Sequence, residues 1–190
     1  MSTVRPTSST AQTATSWVID PVHSVVELAV KHMMFSTVKG RFPKVAGTVV
    51  LNEADLTASS VVAEIDAASI DTGDQGRDGH LRSADFLDVE AFPSITFRST
   101  EVVPHGQNRF VIAGDLTLHG VTREVTLEAE LAGTGIDPWG GRRAGFTATT
   151  SINRRDFGLT WNQALEAGGV LVSDQIKISL EIQATAQDSA

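Results

Sequence analysis

Two stretches of strict two-residue alternation constrain this chain more than anything else in it. From Glu124 to Leu131 it reads EVTLEAEL, and from Gln175 to Ala184 it reads QIKISLEIQA. In the first, Val125, Leu127, Ala129 and Leu131 fall on one side and Glu124, Thr126, Glu128 and Glu130 on the other. In the second, Ile176, Ile178, Leu180, Ile182 and Ala184 share a side opposite Gln175, Lys177, Ser179, Glu181 and Gln183. A helix would scatter these side chains around its axis. A strand with one dry and one wet face sorts them.

Weaker alternation marks six further strands: 24–30, 45–51, 60–65, 94–103, 109–118 and 143–153. Short polar connections such as Pro104–Asn108 and His119–Val121 make neighbours antiparallel. Gly47, Gly114 and Gly145 interrupt strands and permit sharp bends. Eight antiparallel strands with one polar face fit a closed barrel, and a two-sheet sandwich satisfies the same periodicity. Two short helical segments are expected, one over Arg77–Leu87 capped by Asp78 and one turn within His32–Phe42. Residues 153–173 lack alternation and read as a lid or binding loop.

The chain's 190 residues suit one domain. Residues 1–16 are Ser/Thr-rich and read as a disordered tail, 17–186 as the folded domain and 187–190 as a second tail. The first segment lacks the apolar core of a signal peptide, so a cytoplasmic location is expected over a periplasmic or secreted one. No stretch is long and apolar enough for a membrane-spanning helix. The net charge of −8 argues against nucleic-acid partners and against a basic membrane-surface mode. The absence of cysteine excludes disulfides, thiolate nucleophiles and zinc–cysteine or iron–sulfur sites.

Catalytic motifs are missing. His23, His32, His80, His105 and His119 show no metal-binding spacing, and phosphate-loop, dinucleotide and nucleophile-elbow fingerprints do not occur. The reading is therefore no catalytic residue, no metal and no cofactor. Asp78 and Asp85 are expected to pair with Arg77, Arg82 or Arg154.

Strand parity identifies an apolar interior. Its expected lining is Val26, Leu28 and Val30; Val49 and Leu51; Ile65; Phe97; Ile112 and Leu116; Val125 and Leu127; Phe146 and Ile152; and Ile176, Ile178 and Leu180. Eight strands enclose a space that side chains fill or that holds one small ligand, and parity does not decide between them. Met33 and Met34 would give such a space an adaptable entrance.

Five segments carry a resemblance. WVIDPVHSVVELAVKH (17–32), KGRFPKVAGTVVL (39–51), SIDTGDQGRDGHLRSADFLDVEAFPSITFRS (69–99), GDLTLHGVTREVTL (114–127) and INRRDFGL (152–159) occur in that order. Together they resemble the YceI-like family, the polyisoprenoid-binding, lipocalin-like proteins of bacteria. The resemblance implies an all-β fold: an extended eight-stranded antiparallel lipocalin-like barrel with one or two short helical segments. It also implies a long-chain isoprenoid or fatty-acid-like lipid as partner, and a homodimer.

The motif polar residues Asp20, His23, Arg77, Asp78, His80, Arg82, Asp85, Arg154 and Asp156 then have two readings. They knit the loops to the barrel end, or some of them, with His32, Arg77, His80 and Arg154 as candidates, meet the polar head of the ligand. The leading expectation is non-enzymatic binding, storage or transport of a long apolar molecule. The alternatives are an enzyme acting on an apolar isoprenoid-like substrate, with His32, His80 or Asp78 as general acid or base, and a filled barrel that binds a partner.

Overall fold

The structure, a computed structural model, describes residues 14–187. Ten strands appear: β1 (Ala14–Ile19), β2 (Val25–His32), β3 (Ser36–Phe42), β4 (Val45–Asn52), β5 (Ser60–Asp66), β6 (Ser94–Pro104), β7 (Arg109–Leu118), β8 (Val121–Ile136), β9 (Arg142–Asn153) and β10 (Val172–Ala186). From β4 to β10 each strand pairs antiparallel with the next around the sheet. β1 pairs with both β4 and β10, which closes the ring.

Ten strands make eight staves because two staves are broken. β1 and β2 run along the same edge of β10, with Ile19 opposite Ala184 and Val25 opposite Glu181. Asp20–Ser24 bulge out between them, and the Asp20 carboxylate organises the bulge by accepting from the Val22 N–H and the His23 ring. β3 and β4 form the second broken stave, interrupted at Pro43, which has no N–H for a ladder. The eight expected strands thus fall on eight staves, and the barrel is closed rather than a sandwich. The first stave starts earlier than expected: Ala14–Ser16, assigned above to the tail, pair with Val50–Asn52. Residues 1–13 and 188–190 lie outside the described residues.

The region around Met33 is not helical. Met33, Met34 and Phe35 are the turn of the β2–β3 hairpin, with His32 opposite Ser36. Apolar crowding imitated a helical pattern there, but the flanking residues find ladder partners instead.

One barrel end is capped. The cap comprises α1 (Gln75–Arg82), the segment 83–93, the 3-10 turn Arg154–Phe157 and the loop that follows it. Asp74, not Asp78, caps α1, accepting from the Arg77 N–H at 2.8 Å. Asp78 is buried and accepts from the N–H and hydroxyl of Thr72, tying the helix to the chain before it. The expected carboxylate–arginine pairs are absent among the described residues. Asp85 meets His80 at 2.8 Å, while Arg82 donates to the carbonyls of Ala68 and Ile70. Backbone carbonyls at the barrel rim lack ladder partners, so a nearby guanidinium goes to them first.

The core has two parts. Phe42, Val45, Ile70, Ile95, Leu118, Ile152, Phe157 and Leu159 pack under the cap. Trp17, Leu51, Ala144 and Ala184 pack at the far end.

The barrel interior as a candidate binding cavity

The inward faces of the staves leave a gap between these two cores. It is a cavity of about 230 Å³. Leu87 and Leu159 bound it from the cap, and Phe110, Ala129 and Phe146 line it toward the far end. The wall follows from register. Leu28 stands opposite Ile178, Ile112 opposite Leu127, and Phe97 opposite Leu116, and paired residues share a face.

Gly114 sets the local width. The Phe97 ring lies across it on the inner face, and a Cβ at this position would meet that ring and the Arg98 carbonyl. Without the glycine the ring would be pushed into the cavity.

Of the sixteen residues predicted for the wall, fifteen line the cavity: all except Val30. Val30 has the right parity, but it pairs with Val38 on the outer part of the β2–β3 hairpin. There β3 has left the barrel and, among the described residues, has no strand on its other side. Parity also runs through Ile95, Phe110, Leu118 and Ile182, which line the cavity and continue strands already recognised. Leu87 and Leu159 come from cap segments without alternation, so no periodic signal marked them. Met33 and Met34 do not line the cavity; Met34 is 61% exposed at the hairpin turn.

Among the described residues the wall carries no titratable side chain. Its polar residues are Ser59, Ser60, Thr96, Thr147 and Thr150. His32, Arg77, His80 and Arg154, the candidate head contacts, all lie off it, as does Asp78. Protein partners claim most of them. Arg77 donates to the hydroxyl and carbonyl of Thr72. His80 bonds Asp85 and stands edge-on to Phe86 and Trp161, with ring centroids 5.0 and 4.7 Å away. His32 ends β2, and its carbonyl accepts from the Ser36 hydroxyl.

Arg154 is 2% exposed and serves the backbone. It donates to the carbonyls of Leu159 at 2.7 Å, Trp161 at 2.8 Å and Ser173 at 3.1 Å. Burial pushes its guanidinium below the usual arginine value, and Asp174 at 3.4 Å opposes that shift. A fork of five donors suits a loop whose carbonyls have turned away from the sheet.

At the far end a second ionic cluster braces the barrel. Arg143 donates to Asp20 at 2.6 Å and to Asp137 at 2.9 Å. The His23 hydrogen bond, the Val22 N–H and Arg143 hold the Asp20 carboxyl well below its ordinary value, at about 2. The described residues include no cluster of His, Cys, Asp or Glu able to hold a metal.

With the barrel, cap and cavity defined, comparison with known proteins is informative. The YceI-like domain model matches residues 17–184. The chain belongs to the YceI-like family. A UPF0312 protein of Vibrio cholerae is 44% identical over 151 residues, covering 78% of this chain and 80% of that one. BcnA of Burkholderia cenocepacia superposes with a TM-score of 0.77 at 26% identity, over 88% of this chain and 99% of BcnA. A polyisoprenoid-binding domain from Saccharophagus degradans superposes with a TM-score of 0.64 at 17% identity, over 90% of this chain and 98% of that domain. YceI-like proteins thus share this closed barrel, and here its interior is apolar.

Proposed function

We propose that this YceI-like barrel binds one long apolar or amphiphilic molecule, a polyisoprenoid or fatty-acid-like chain, and releases it chemically unchanged. The observation that carries this reading is the wall, which is aliphatic and aromatic with a few hydroxyls and no charge. Such a surface offers a ligand removal from water and little else. A chain that loses about 300 Å² of apolar area gains on the order of 7 kcal/mol before association costs. The polyisoprenoid-binding neighbour from Saccharophagus degradans supports the ligand class.

The reading places affinity in the chain rather than in a charged head. His32, Arg77, His80 and Arg154 are off the wall, so binding is expected to be insensitive to salt. The test is native mass spectrometry of the purified protein before and after organic extraction. A mass released by extraction and regained on adding an isoprenoid or fatty chain supports the reading. No released mass, together with no uptake of either chain, overturns it.

A further inference from the structure

The turn of the β2–β3 hairpin is built against local preference. Met33 and Met34 both take left-handed backbone, with φ of 51° and 68°, where glycine or asparagine would be unstrained. The side chains are not hidden in return. Met34 is 61% and Phe35 75% exposed, at a turn that projects beside the cap. The Met33 N–H is fixed to the Leu171 carbonyl of the cap loop at 2.8 Å.

The charge around this turn runs against that of the whole protein. The chain has 23 acidic residues against 15 Lys and Arg, yet no Asp or Glu occurs from Leu28 to Asn52. That stretch holds Lys31, Lys39, Arg41 and Lys44. Arg41 and Lys44 are matched by Asp71 and Asp66. Lys31 and Lys39 have no ion pair among the described residues, and neither has Lys177. Register brings these three together on the outer face: Lys177 and Lys39 both stand opposite Ala29, Lys31 lies two residues nearer the turn, and Glu27 and Glu128 border the same groove farther from the turn than the lysines.

We propose that this hairpin docks the protein on an anionic lipid bilayer, with Met34 and Phe35 entering the interface and Lys31, Lys39 and Lys177 meeting the lipid phosphates. The lengths agree. At about 3.3 Å per residue the lysines sit ~10–16 Å behind the turn. Apolar side chains of interfacial elements penetrate about 5–10 Å, which puts the ammonium groups at headgroup level. The negative net charge, which argued against a membrane-surface mode, is an average. Screening over about 8–10 Å lets a local cluster act by itself.

A bilayer fits better than a protein. Two side chains on a three-residue turn cover far less than the ~800 Å² per partner of a stable protein interface. The proposal holds whatever the barrel carries, because the docking elements are outside the cavity.

The experiment uses protein freed of cargo by extraction, so that its outcome is separate from that of the cavity reading. Sedimentation is measured with vesicles of phosphatidylcholine alone and with about one-third phosphatidylglycerol. Binding is expected to the mixed vesicles and to fall with added salt. Lys31→Ala, Lys39→Ala and Lys177→Ala combined should weaken it about a hundredfold. Met34→Ser with Phe35→Ser should weaken it at least about tenfold. Trp139→Ser is the control, since Trp139 is 87% exposed at the opposite end of the barrel. Circular dichroism melts check that each variant folds.

Equal binding to both vesicle types, or no binding to either, overturns the proposal. So does loss through Trp139→Ser with none through the hairpin variants. Phe35-dependent self-association without vesicles would make the turn an interface between copies. Lysine-dependent binding to an acidic polypeptide that ignores Met34 and Phe35 would make it a protein site. Either result also overturns it.

Discussion

Arg154, buried at the barrel rim, donates to the carbonyl of Leu159 five residues along the chain at 2.7 Å. Leu159 in turn lines the cavity. One cation therefore holds a wall residue in place through the backbone. Replacing Arg154 with Met removes the donors and takes their partner from the buried carbonyl of Leu159 and the part-buried carbonyls of Trp161 and Ser173. A loss of about 3–5 kcal/mol is expected, because unsatisfied buried groups cost more than the bonds they lose. Chemical denaturation measures it. A variant as stable as the wild type would show that the loop finds other partners.

Leu127 and Ile178 face the interior from β8 and β10. Leu127→Glu or Ile178→Glu puts an unpaired carboxylate into that interior, at a cost of several kcal/mol. Ligand uptake should be abolished, and folding should fail or be severely weakened. Glu128→Leu lies next in sequence but outside the wall, and should leave uptake unchanged. Thermal melts with ligand uptake on the same samples separate the two effects. Normal uptake by a folded Leu127→Glu protein would contradict the inward placement.

Gly114 and Phe97 make a steric pair that a double substitution can test. Gly114→Val forces the Phe97 ring inward and should cost about 1–3 kcal/mol, with reduced uptake. Phe97→Leu in the same protein frees space over the new side chain. The double variant should recover part of both losses, and additive losses would mean that the two residues do not share the space.

Acid stability should depend on Asp20. Its folded-state value of about 2 lies below the ordinary aspartate value of 3.8. The carboxylate therefore stabilises the fold fully above the higher value, and this contribution is lost as pH falls toward the lower one. Asp71 and Asp137 are shifted in the same direction, by the Gly73 N–H and by Arg143 respectively. Asp20→Asn should be less stable at neutral pH and should show a shallower loss between pH 4 and pH 2, where Asp20 protonates in the wild type. Denaturation midpoints across that range decide it, and parallel curves for the two proteins would count against the assignment.

The sequence was most legible where a strand is dry on one side and wet on the other. β8 and β10 announce themselves because Leu127 and Ile178 alternate with Glu128 and Lys177. β1 and β3 are less visible. β3 carries only Val38, Gly40 and Phe42 on its inner side, with Gly40 beneath Leu28 and Thr72, so its apolar beat is weak. The cap was legible as an interruption but not as geometry. Its partners are backbone carbonyls, and a preference of Arg82 or Arg154 for a carbonyl over a carboxylate leaves no mark on spacing. Val30 exposes the limit of parity, which gives the face of a strand but not where along its length the barrel ends.

The short seam between β1 and β10, Trp17–Ile19 against Ala184–Ala186, has a consequence for how the barrel can be handled. It brings the beginning and the end of the domain side by side, at the pole opposite the cap. In a closed ring of staves this junction is only the place where the polymer happens to be cut. A short linker from Ala186 to Ala14 would complete the loop, and a new opening at an exposed connection such as Glu53–Asp55 would leave every stave between the same neighbours. A tether joined directly at Ala14 or Ala186 would likewise leave the barrel at the far pole, clear of the cap and of the Met34 turn.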